Sequence, residues 1–71
     1  MNRKEKLIYR ILVTKFNNNA RKPISIDSVK LESDLSHLEL NEIIRSLEAN
    51  HSICLHKNKL LSIPEEALMM E

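Results

Sequence analysis

No position in this chain is glycine. That absence removes whole classes of fold device. Phosphate-cradling loops, dinucleotide-binding turns and nucleophile elbows all use glycine where the backbone turns tightly or approaches a ligand closely. None can be present in its usual form. The chain must reverse with other residues, and asparagine is the natural substitute because its short polar side chain tolerates the left-handed region. Asn17 to Asn19, Asn50 and Asn58 sit where elements should end, so the turn work is expected to fall on them.

The clearest element runs from Leu35 to Asn50. Ser36 is a good N-cap and Glu39 follows at capping-box spacing. Leu35 and Leu40 are placed as a hydrophobic staple. Leu40, Ile43, Ile44 and Leu47 make one apolar stripe at i, i+3, i+4 and i+7. Asn50 is expected to close this helix in the left-handed C′ position.

Ahead of it, Arg3 to Phe16 should be a helix with Leu7, Ile8, Ile11, Leu12 and Phe16 on its core face and Tyr9 and Val13 beside them. Arg3, Lys4, Lys6, Arg10 and Lys15 occupy the remainder. After Pro23, Ile24 makes a short strand. Ser25 then caps a second helix from Ile26 to about Ser33, with Ile24 and Val29 as its staple. Ile24, Ile26, Val29 and Leu31 also alternate as strand residues do, but cap and staple together favour the helix. Asp34-Leu35 is a tight turn.

Beyond Asn50 the period changes. His51 to His56 and Lys59 to Ile63 read as two short strands, with Lys57-Asn58 as the reversal. Ile53, Leu55, Leu61 and Ile63 are expected to point inward. Ser62 and Glu65 stand at capping-box spacing around Pro64, and Ala67, Leu68, Met69 and Met70 would give a short last helix an apolar side. The expected organisation is one α+β domain over residues 1–64, followed by a tail or the start of a short fourth helix over 65–71.

At 71 residues the chain is near the lower size limit for an unassisted core. Charged residues make up 30%, and no apolar run approaches the ~18 residues of a spanning helix. The charged first residues lead into an amphipathic segment rather than an export signal, and a single cysteine forms no internal disulfide, so a cytoplasmic setting is expected. Charge is unevenly placed. Residues 1–30 hold eight basic and two acidic side chains, a net of +6, whereas 31–50 hold one basic and five acidic, a net of −4. A polyanion would favour the first helix or the hairpin over the central helix.

The order helix, short strand, helix, tight turn, helix, hairpin resembles the winged helix-turn-helix superfamily from Leu7 to Ile63. The resemblance rests on the spacing of Ile11-Leu12, Ile24-Ser25, Leu35-Ser36, Leu40, Ile44, Leu47 and Ile53. It implies a three-helix core with a C-terminal two-stranded β-hairpin wing. It also implies that helix three lies in the DNA major groove while the hairpin tip lies near phosphates. The matching positions are His37, Asn41, Glu42 and Arg45 on the helix and His56, Lys57, Asn58 and Lys59 on the wing. Arg21 and Lys22 would add a phosphate contact from their loop. The chain departs from the family where glycine often stands: Asp34 precedes helix three, and His51 or Ser52 opens the hairpin. Helix three also sets Glu39, Glu42 and Glu48 against Arg45 alone, and carboxylates near phosphates oppose the electrostatic part of binding.

The resulting expectation is a non-enzymatic duplex-DNA-binding protein and small transcriptional regulator without a cofactor, with Arg45, Asn41 and His37 at the bases. The rival reading is a protein–protein interaction module that presents the acidic face of helix three. A third reading makes this one domain of a larger protein. A homodimer through the first helix and the tail would use the broad apolar surface, and packing of the tail on its own core would use it equally well. His51, Cys54 and His56 form a His-x-x-Cys-x-His cluster, with His37 or a carboxylate as a fourth ligand. That spacing matches no strong zinc pattern, so no metal is expected. Ser36-His37 lacks a third group and oxyanion donors, so no catalysis is expected.

Overall fold

The computed structural model describes residues 2–69, and of Met69 the backbone alone. Within that span the protein is α+β. Its elements are α1 (Arg3–Asn18), β1 (Ile24–Ser25), α2 (Ile26–Ser33), α3 (His37–Ala49), β2 (Cys54–His56), β3 (Leu60–Ser62) and α4 (Glu65–Met69).

Side-chain caps start the three longer helices by accepting amide protons that have no partner inside the helix. Asn2 accepts from the Glu5 amide at 2.8 Å, Ser25 from Asp27 at 3.2 Å and Ser36 from Glu39 at 3.2 Å. The expected capping box at α3 is half formed. One Glu39 carboxylate oxygen accepts from the Ser36 hydroxyl at 3.4 Å and the other from the Lys4 ammonium at 3.2 Å, in place of the reciprocal backbone bond.

The apolar stripes meet in one cluster. Ile8 and Leu12 of α1, Val29 of α2, Leu40 and Leu47 of α3, and Ile53 and Leu61 are each at most 2% exposed. Apart from the Tyr9 phenol, no polar side chain is buried among the described residues, so this core is held mainly by dispersion and removal of apolar surface from water. Two expected core residues lie outside it. Leu7 is 60% exposed, because it sits a hundred degrees round α1 from Ile8, beyond the arc that Ile8, Tyr9, Leu12 and Phe16 turn inward. Leu55 is 37% exposed. It pairs with Leu61 and shares its face, but it belongs to an edge strand.

The hairpin pairs β2 with β3 as expected, and the short strand at Ile24 joins it, giving three antiparallel strands in the order β1-β3-β2. Ile24 pairs with Leu61 and Ser25 with Leu60, while Cys54, Leu55 and His56 pair with Ser62, Leu61 and Leu60. The strands are shorter than expected. The reversal takes three residues, Lys57-Asn58-Lys59, instead of two. Asn58 and Lys59 both have positive φ, 65° and 57°, and the Lys59 carbonyl accepts from the Ile26 amide at 2.9 Å. That bond ties the hairpin tip to the start of α2.

Asparagine does less of the turning than expected. Positive φ occurs at Ala20, Arg21, Asp34, His51, Asn58 and Lys59, and only one of these is asparagine. Asn17 and Asn18 lie within α1. Asn19 works through its side chain, whose amide donates to the Lys22 and Pro23 carbonyls at 3.2 Å each. Asn50 has φ −85° and is the C-cap. His51, φ 60°, is the left-handed residue. Its amide donates to the Glu48 carbonyl at 3.0 Å and that of Ser52 to Leu47 at 2.9 Å, the two bonds of a Schellman motif.

α4 begins at Glu65, and the Pro64 carbonyl accepts from Ala67 at 3.0 Å and Leu68 at 3.2 Å. Ser62 stays in β3 and does not cap it. Ala67 and Leu68 are half-buried against the core. The apolar contribution expected of Met70 and of the Met69 side chain lies outside the described residues, as does Glu71.

Candidate nucleic-acid interface

The core grips α3 from one side through Leu40, Ile43, Ile44 and Leu47. His37, Asn41 and Arg45 recur every fourth residue on the side left over, and all three are exposed. Eight residues of helix span about 12 Å, enough for a side-chain row to run along about three base pairs. Glu42 is exposed beside them, as is Leu38.

The charges on this helix are not equivalent. Lys4 of α1 lies 3.2 Å from Glu39 and offsets one of the carboxylates that oppose a polyanion. Sequence reasoning missed Lys4, whose only local signal is one more positive charge on the first turn of α1. Glu42, Glu48 and Arg45 have no hydrogen-bonded or ion-paired side chain among the described residues.

The hairpin tip presents Lys57 and Lys59, both exposed and without an acidic partner among the described residues. Its backbone is held by the Lys59–Ile26 bond. His56 is engaged elsewhere: its Nε2 lies 2.7 Å from the Ser62 hydroxyl. Ser62 is the partner of Cys54, so the His56 ring leans along the sheet away from the tip. Arg21 and Lys22 are exposed in the loop before β1. The register of β1 against β3 puts that loop at the end of the sheet opposite Lys57–Lys59. The predicted residues therefore fall into three groups: the α3 row, the hairpin tip, and a separate loop.

Cys54 is a free, exposed thiol on the same side of β2 as His56. Among the described residues no three His, Cys, Asp or Glu side chains are gathered as a metal ion would require, and no helix is long and apolar enough to cross a membrane. Comparison of the chain with protein-family models, with curated proteins and with solved structures finds no match.

Proposed function

We propose that this chain is a winged-helix protein that binds duplex DNA without catalysing a reaction, as a small transcriptional regulator. In this reading α3 lies in the major groove, with Arg45, Asn41 and His37 at base edges, and Lys57 and Lys59 contact phosphates. The observation that carries it is the exposed His37–Asn41–Arg45 row on a helix held rigidly from behind, in a chain whose hairpin tip carries two unpaired lysines. Arg to guanine and Asn to adenine are the common major-groove pairings. The element order and the three-stranded antiparallel sheet support the family resemblance. The Lys4–Glu39 pair supports it further, because it reduces the carboxylate excess on α3.

An amide chemical-shift titration with a mixed-sequence duplex, at low and at moderate salt, tests the reading. Shifts on residues 37–45 and 57–59 that weaken with salt are expected. Shifts confined to residues 3–22, or none at low salt, would overturn it.

A second reading rests on Glu42 and Glu48, exposed and without ion pairs among the described residues. An acidic face of this kind suits a basic protein partner. Glu42→Lys separates the two readings. It raises affinity for unspecific DNA if α3 enters the groove, and it weakens a basic protein partner otherwise.

A further inference from the structure

We propose that the groove between α1 and the β1–α2 junction docks an acidic, amphipathic segment of a partner protein. The groove encloses about 820 Å³ and is open to solvent. Leu7, Arg10 and Ile11 of α1 form one wall, and Ile24, Ser28 and Leu60 stand across from them. No residue of α3 or of the hairpin tip lines it, so its occupant leaves the α3 row and Lys57–Lys59 free.

The apolar lining and the charge point to the same ligand. Leu7 contributes nothing to the core, yet it is the large apolar side chain of this wall. Ile11 beside it is half-buried. Arg10 lines the groove, and Arg3, seven residues earlier, lies on the same stripe of α1. Neither guanidinium has an ion pair among the described residues. Farther along, Lys15 is neutralised by Glu32 at 3.0 Å. Among the lining residues the unpaired positive charge is thus that of Arg10, beside Leu7 and Ile11. A helix laid in such a groove anchors apolar residues at i, i+3 or i+4, and carboxylates on its flank would meet Arg10 and Arg3 in the fork geometry guanidinium favours. Nucleic acid suits the trough less well. No aromatic side chain lines it for base stacking.

The test titrates the isotope-labelled full chain with a synthetic helical peptide of about four turns. The peptide carries leucine at i, i+4 and i+7 and glutamate along one flank. Shifts are expected on Leu7, Arg10, Ile11, Ser28 and Leu60. Arg10→Glu should weaken binding by about tenfold or more, and Leu7→Ser by several-fold. Both side chains are exposed, and an unchanged amide spectrum elsewhere shows that each variant folds. Equal binding of a peptide with glutamine for glutamate would overturn the proposal. So would the absence of shifts at about 1 mM peptide, shifts on α3 instead, duplex DNA shifting the groove residues, or self-association abolished by Leu7→Ser.

Discussion

Ser46 Oγ donates to Glu5 Oε2 across 3.2 Å, joining α3 to the first turn of α1 over 41 residues of sequence. Both residues are half-buried. Together with Lys4–Glu39 this bond sets the first turn of α1 across the middle of α3, the element proposed to meet DNA. Ser46→Ala should cost about 1 kcal/mol of stability. A cycle with Glu5→Ala, read by urea unfolding, should show a coupling of at least about 0.5 kcal/mol. Strict additivity of the two single variants would contradict the contact.

The left-handed positions offer a gain of stability. A non-glycine residue there costs about 1–2 kcal/mol, and glycine returns about 0.4–1 kcal/mol of that as unfolded-state entropy. Ala20→Gly should therefore stabilise the protein by roughly 0.5–1 kcal/mol, raising the urea midpoint. Asn50→Gly is the control. With φ −85° at that position it should give no gain, and stabilisation by Asn50→Gly with none from Ala20→Gly would reverse the assignment of these turns.

Burial separates leucines that look alike in sequence. Leu47 is 0% and Leu31 84% exposed. Leu47→Ala should cost about 3 kcal/mol or more, a large share of the roughly 4–10 kcal/mol expected of so small a domain. Leu31→Ala should stay within about 0.5 kcal/mol of the parent. Thermal melts compare the two directly, and similar losses from both would mean that α2 packs differently.

DNA affinity should divide by contact type. Arg45→Ala should cost about 1–3 kcal/mol and relax preference at one base pair. Lys57→Ala should weaken all duplexes alike and reduce the salt slope by about one. Lys4→Met should leave stability nearly unchanged, since an exposed ion pair contributes little. It should nevertheless weaken DNA binding by releasing the Glu39 charge. Anisotropy titrations at several salt concentrations check all three, and an unchanged slope for Lys57→Ala would remove the hairpin tip from the interface.

Local chemistry explains what was readable along the chain. The Ser25 and Ser36 caps, the α2 and α3 bounds and the buried stripe of α3 each depend on residues within a turn or two of one another. Capping and helical periodicity therefore specify them with no knowledge of the rest of the fold. Turn positions were legible only to within a residue. Asparagine marks the ends of α1 and α3, but the left-handed backbone falls one residue later, at Ala20 and His51, because the cap residue itself keeps a negative φ.

Three features depend on partners distant in sequence. β1 became the third strand because Ile24 and Ser25 found unpaired backbone on β3. Leu7 and Leu55 lost their expected burial because neighbouring elements, not their own side chains, decide which arc of a helix and which strand of a sheet is covered. Of the candidate site, the α3 row could be read from helical spacing. The separation of Arg21 and Lys22 from the hairpin tip could not, nor could the turning of His56 toward Ser62 or the offset of Glu39 by Lys4. The sequence alone determined where helices start and which face of each is apolar, because those preferences are local. Tertiary structure alone decided which charges stay unpaired and which apolar residues stay wet, because charge pairing and burial are properties of elements brought together.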